Sequence, residues 1–190
     1  MIIGLVLAAG ESTRMGDVKQ LLPYRGTTVL GAVIEAASAS MLGEILVVTG
    51  YHGAAVEGLV PDGIRIVRNP DPARGNHSSL LLGLAGAKHA EAVLMLLGDQ
   101  PEVDAAVIDR LVEVWQEERP WAAVAEYRGE PGHPFLLSAE CAAAVPAWTG
   151  PRPLWHHLVE DPDGKVVRVA FDRRAPIDVD TPDDYARLIG

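Results

Sequence analysis

Arg14 and Lys19 stand five positions apart in LAAGESTRMGDVK, directly behind an apolar run from Ile2 to Leu7. Leu7 closes that run, and Ala8, Ala9 and Gly10 after it carry almost no side chain. Their backbone N–H groups could therefore lie against something bulky and anionic, with the two cations supplying positive charge. Ser12 could add a hydroxyl to the same loop. The pattern is that of a phosphate cradle; the plainer alternative is a surface loop with two solvated cations. Two familiar cradles are excluded. Gly16 is followed by Asp17 and Val18, so no Gly-Lys-Ser/Thr closes a P-loop, and no glycine lies between Gly10 and Gly16 to give G-x-G-x-x-G.

A second chemical signal is Asp99. The apolar stretch AVLMLL ends abruptly in Gly98-Asp99-Gln100-Pro101. A carboxylate there sits at the mouth of a sheet, where it could hold a hard cation against phosphates. It could equally cap the following helix, a common position for an acid just before proline. The closing DVDTPDDY is ambiguous in the same way. Asp180 or Thr181, ahead of Pro182, can start the last helix, yet Asp178 or Asp180 could reach inward as a second metal ligand. His156 and His157 are adjacent, so on a helix they diverge and cannot pinch one metal. His133, in PGHPF, reads as a turn residue with a polar tip.

These residues must be positioned by alternating elements. IIGLVL, EILVVTG and EAVLMLLGD are apolar without alternation, as strands buried on both faces are. GIRIVRN is a further strand, bounded by Gly63 and the turn pair Asn69-Pro70. Between them TTVLGAVIEAASAS, AAVEGLV and SSLLLGLAGAKH have helical spacing, the first with Thr27 as expected N-cap. VDAAVIDRLVEVWQEE is amphipathic, with Val107, Leu111, Val114 and Trp115 on one face. WAAVAEY and HPFLLS, joined by RGEPG, suggest an antiparallel excursion before the strand KVVRVAF and a short last helix. The expectation is one α/β domain over residues 1–190, a three-layer α/β/α sandwich with a mostly parallel sheet.

Composition narrows the function. A formal net charge of −10 argues against nonspecific nucleic-acid or anionic-membrane binding, so a phosphate site must be a local island of positive charge. The one cysteine, Cys141, excludes an internal disulfide and a cysteine-rich zinc site. No basic leader precedes an apolar segment and no run is long enough to span a bilayer, so the expected location is cytoplasmic.

LAAGESTRMGDVKQLLP resembles the signature loop of the molybdenum-cofactor nucleotidyltransferases, the MobA/MocA-like NTP transferases. VTGYHG, GNHSSLLLGL, LLGDQP, PGHPFLLS and DVDTPDDY follow in that family's order and cover nearly the whole chain. Ala8-Ala9-Gly10 is closest to the cytidylyltransferase branch. The resemblance implies a nucleotide-diphospho-sugar-transferase-like (Rossmann-like) fold and transfer of a nucleoside monophosphate, CMP from CTP, onto an acceptor phosphate with loss of pyrophosphate. It implies that residues 7–10, Ser12, Gly75 and Ser79 hold the nucleotide, and that Arg14 and Lys19 neutralise its phosphates. Asp99 and Asp180 would bind Mg²⁺, and His133 would face the acceptor, a molybdopterin-type cofactor destined for a molybdoenzyme. One stretch departs from the family. Many relatives carry Gly-Asp-x-Gly-Ala-Arg where this chain has TGPRPLWHHL, so Arg152 stands in for the arginine between two prolines. The departure leaves the acceptor open: another small phosphorylated metabolite, or binding without catalysis, are the other readings.

Overall fold

The computed structural model describes residues 1–150 and 152–190. Its strands and helices alternate as the apolar periodicity requires. In chain order they are β1 (Ile2–Ala8), the short β2 (Pro23–Tyr24) and β3 (Thr27–Thr28), α1 (Val29–Ser38), β4 (Glu44–Thr49), α2 (Gly53–Glu57), β5 (Arg65–Arg68) and α3 (Asn76–Gly86). There follow β6 (Ala92–Leu97), α4 (Ala105–Glu118), β7 (Ala122–Tyr127), β8 (Glu130–Ser138), α5 (Ala139–Ala144), α6 (Pro153–Trp155), β9 (Val166–Phe171) and α7 (Pro182–Ile189).

Seven strands form one sheet in the order β5-β4-β1-β6-β8-β7-β9, and β2 and β3 make a separate ribbon. Only β8 runs against the others: it is antiparallel to both β6 and β7, while β9 returns parallel to β7. The antiparallel excursion expected for residues 121–138 is therefore this hairpin, inserted into an otherwise parallel sheet. Its consequence for the site is geometric. Because β8 is reversed, its first residues lie at the same end of the sheet as the last residues of β1 and β6.

Each strand of the sheet's centre buries both faces. Val6, Val47, Leu94, Leu96 and Leu136 pack with Leu30 and Ile34 of α1 and with Ile108 and Leu111 of α4. The alternate residues Leu5, Leu46, Val93, Met95 and Phe135 pack with Leu80 of α3 and Cys141 of α5 on the other face. These two cores define three layers. Residues on both faces are apolar, so the unbroken hydrophobic runs are explained. Among the described residues no helix is long and apolar enough to cross a membrane.

Helix starts differ from the sequence expectation in one instructive place. Thr27 belongs to β3, and the N-cap of α1 is Thr28, whose hydroxyl accepts from the Gly31 N–H at 3.0 Å. Two adjacent threonines offer the same side chain, and the ribbon's register decides between them. Thr28→Ala should lower unfolding free energy by about 1 kcal/mol, the usual cost of losing a cap hydroxyl. Thr27→Ala should cost less, and paired denaturant titrations would separate the two.

Candidate active site

The site forms where β1 and β6 end side by side. The Gly98 N–H donates to the Leu7 carbonyl at 2.9 Å, so the segment carrying Asp99 is tied to the start of the opening loop. The loop is supported from the other side by Gly50, after β4. A Cβ on Gly50 would stand 2.7 Å from the Ala9 carbonyl oxygen, so only glycine lets the two backbones pass this closely. Beyond Gly10 the chain turns tightly. Ser12 takes a positive φ of 62°, and its carbonyl accepts from the N–H groups of Met15 at 3.0 Å and Gly16 at 3.3 Å. The Ser12 hydroxyl accepts from the Lys19 N–H and donates to the Gln20 side chain. Ser12 thus closes the loop that delivers Lys19 into the protein.

Lys19 is only 8% exposed, which an ammonium group tolerates only beside negative charge. That charge comes from distant parts of the chain. Lys19 Nζ lies 2.5 Å from Asp99 Oδ2 and 2.8 Å from Asp180 Oδ1. Arg14 reaches the other oxygen of Asp180 at 2.7 Å. Burial works against the charge on Lys19, but the two carboxylates outweigh it and raise its pKa above the ordinary lysine value. Burial also opposes ionisation of Asp180, and here the Lys19 and Arg14 contacts prevail and lower its pKa.

Asp99 does not cap the following helix. Asp104 does so, accepting from the Val107 N–H at 3.0 Å, and Asp99 is left to face the site. The final segment is pinned to it by the Val179 N–H, which donates to the Asp99 carbonyl at 3.1 Å. With Val179 fully buried, its neighbours Asp178 and Asp180 in this segment both reach the cavity. Thr181 and Asp184 form the capping box of α7, which frees Asp180 from that task. Asp178 accepts from Gln100 Nε2 at 2.8 Å, and burial together with the nearby charge of Asp99 raises its pKa.

These groups line one side of a cavity of about 430 Å³. Leu7, Ala9, Gly10, Arg14, Lys19 and Asp99 lie on its wall, as do Ser79, His133, Arg152 and Asp180. Three residues named from the sequence stand back from that wall: Ala8, which is buried, Ser12, and Gly75, which precedes α3. Pro151 lies outside the described residues, so of the two prolines flanking Arg152 only Pro153 is placed. Phe135 and Trp155, which no sequence pattern singled out, also line the cavity. The Arg152 guanidinium lies 4.6 Å from the ring centre of Trp155, and His133 stacks on Phe135 at 4.0 Å. His133 lies within β8 and not in the turn expected from PGHPF, and the Tyr127 hydroxyl donates to its carbonyl at 2.7 Å. His156 and His157 lie elsewhere: one contacts Glu160, the other stacks on Trp148, and neither reaches the cavity.

The donor set fits a hard divalent cation. Asp99 Oδ1 is buried with no hydrogen-bond partner among the described residues, while both carboxylates converge on a single ammonium. No group of three or more acidic, histidine or cysteine side chains is gathered for a metal among the described residues. A cation here would rest on one or two carboxylates and on oxygens of its ligand, the pattern of Mg²⁺ bound with phosphates.

Comparison with known proteins identifies the family. The model of the MobA-like NTP transferase domain matches residues 4–165. The chain belongs to that family. Its members are nucleotidyltransferases, and the chain is an enzyme of that class. It is 30% identical to the molybdenum cofactor cytidylyltransferase of Escherichia coli, over 95% of this chain and 92% of the relative. It is 33% identical to the nicotine blue oxidoreductase of Paenarthrobacter nicotinovorans, over 76% of this chain and 74% of that one. Among solved structures, Rv0371c of Mycobacterium tuberculosis superposes with a TM-score of 0.89 at 37% identity, covering 99% of this chain and 96% of that one. The same mycobacterial protein has been solved in complex with manganese. Nucleotidyltransferases with the nucleotide-diphospho-sugar-transferase fold, among them a Methanothermobacter protein at TM-score 0.81 and 28% identity, share the architecture over 100% of this chain and 96% of that one.

His133 generates a pH prediction. Burial lowers its pKa from 6.5 to about 4, so the native ring is neutral at pH 7. Between these two values the unfolded chain binds a proton that the native state does not. Stability therefore rises with pH across this window; the contribution is complete above about 6.5 and is lost as pH falls towards 4. The whole effect is on the order of 3 kcal/mol. Urea titrations from pH 4 to 7.5 should show a shallower slope for His133→Gln than for the wild type.

Proposed function

We propose that this enzyme moves CMP from CTP onto the phosphate of a molybdopterin-type acceptor in a Mg²⁺-dependent reaction. The observation that carries this reading is the charge cluster of Arg14, Lys19, Asp99 and Asp180, set beside the bare backbone of Ala9 and Gly10. An oxygen of the acceptor phosphate attacks the α-phosphorus of the nucleotide. The bond from that phosphorus to the bridging oxygen breaks, and pyrophosphate departs with the electron pair. Two anions must meet, so the work of the protein is neutralisation and alignment.

The roles follow from position. The Ala9–Gly10 backbone lets a triphosphate approach without steric conflict. Arg14, 68% exposed at the lip, and Lys19 beneath it supply positive charge for the phosphates. Asp99 and Asp180 would hold the cation, which when bound offsets negative charge on the phosphates. The E. coli relative is named for cytidylyl transfer to the molybdenum cofactor, which supports CTP and the acceptor proposed. Gly75 would shape the entry to α3 on the base side. His133 and Arg152 would contact the acceptor, and the product would be passed to a molybdoenzyme.

A second reading keeps the reaction and changes the acceptor to another small phosphorylated metabolite. Its support is the departing loop around Arg152, where Arg152 is stacked on Trp155 at the cavity. The nicotine blue oxidoreductase carries a redox name, so pyrophosphate release is the readout that separates transfer from other uses of the fold.

Thermal shift with CTP, GTP, ATP and UTP, with and without Mg²⁺, tests the nucleotide. CTP at about 100 times its dissociation constant should stabilise the protein by roughly 2.7 kcal/mol when Mg²⁺ is present. Asp99→Asn should abolish the Mg²⁺-dependent part and lower pyrophosphate release from CTP and molybdopterin by about 10²–10³-fold. A folded wild type with no shift for any nucleotide would overturn the proposal.

A further inference from the structure

Behind the cavity wall lies a buried amide that the transfer chemistry itself does not use. Asn69 follows β5 and is only 4% exposed. Its backbone N–H donates to the Thr49 carbonyl at 2.8 Å, which fixes it across the sheet edge. Its side chain has every hydrogen-bonding group engaged along one axis. Oδ1 accepts from the Asp71 N–H at 3.0 Å, and Nδ2 donates to Ser78 Oγ and Ser79 Oγ, each at 2.9 Å. A backbone N–H can only donate, so Oδ1 must be the atom facing Asp71, and the orientation of the amide is settled.

The polarity passes to the serines. Ser78 directs its own hydrogen to the Gly75 carbonyl at 2.7 Å and is fully used within the protein. Ser79 also accepts from Asn69, but its hydrogen has no acceptor among the described residues. Ser79 is 3% exposed and is the one of the two serines that lines the cavity. A hydroxyl rotates freely unless its lone pairs are claimed. Here one is claimed by Asn69, so the hydrogen is left for a ligand.

We infer that Asn69 is a positioning residue that keeps the Ser79 hydrogen free for a ligand, matched to an acceptor atom on the edge of the nucleobase, such as a pyrimidine ring carbonyl. The inference rests on the nucleotide reading above and adds to it the device that makes the base pocket directional. Asn69 does not touch the ligand; it acts only through Ser79.

Asn69→Asp is the sharpest test because it keeps the shape and the Asp71 contact while reversing the other end. The ionised carboxylate of that variant accepts from both serines, so Ser79 would then offer the base a lone pair. CTP binding with Mg²⁺, measured by calorimetry on the full chain, should weaken about tenfold or more in Asn69→Asp. Tripolyphosphate, which has the phosphates and no base, should bind both proteins alike. Ser79→Ala should weaken CTP binding in the wild-type background and have no further effect in Asn69→Asp, whereas Ser78→Ala should leave CTP binding unchanged in the wild type. Equal CTP affinity in wild type and Asn69→Asp would overturn the inference and leave the nucleotide reading standing. So would a parallel loss of tripolyphosphate binding, which marks a collapsed loop. If the wild type binds tripolyphosphate but no nucleotide, the nucleotide reading fails and the inference fails with it.

Discussion

The buried ammonium of Lys19 is the constraint around which the site is organised. A lysine held at 8% exposure needs negative partners, and those partners lie 80 and 161 positions away. The opening loop, the end of β6 and the segment before α7 must therefore all arrive at one point. Each carboxylate in turn would be costly without the cation: Asp99 and Asp180 face the same small volume, and like charges at that distance repel. The cluster is balanced internally, and it is also poised. Both acids are already drawn together by one positive charge.

The sheet explains why three distant segments meet. Parallel strands bring the ends of β1 and β6 to one edge, the place where open α/β sheets bind ligands. The reversed β8 adds its starting residues, so His133 and Phe135 reach the same cavity from a strand running the other way. Closure depends on the backbone bond from Val179 to Asp99 and on the salt links of the preceding strap: Arg173 to Asp104, and Arg174 to Glu102. These contacts bind the last segment to the start of α4. The two salt links lie outside the cavity lining, yet they help to fix where Asp178 and Asp180 sit.

Much of this was legible in the sequence, for definable reasons. Strands buried on both faces have unbroken apolar runs, so β1, β4 and β6 could be read directly, and the position of Asp99 at a strand end followed. The opening loop was legible because small residues and two cations after a strand form a rare combination. The burial of Lys19 was not, since local sequence carries no record of two acids that approach from elsewhere. The choice of Thr28 over Thr27 depended on the ribbon's register, and the choice of Asp104 over Asp99 as cap depended on the turn through Pro101. Trp155 and Phe135 gave no signal because an aromatic residue at a cavity wall has the same local pattern as one in a core.

The two halves of the cavity therefore differ in kind. The part around Lys19 is built from backbone approach and fixed charge, which tolerate little variation: Gly50 has no room for a Cβ, and the buried Lys19 ammonium needs both acids. Another part of the lining is built from stacked side chains, with Arg152 in a left-handed conformation laid on Trp155 and His133 laid on Phe135. Planar groups stacked in pairs present faces and edges whose chemistry changes with a single substitution, while the scaffold beneath them stays the same. A fold of this design can keep one reaction and exchange the acceptor.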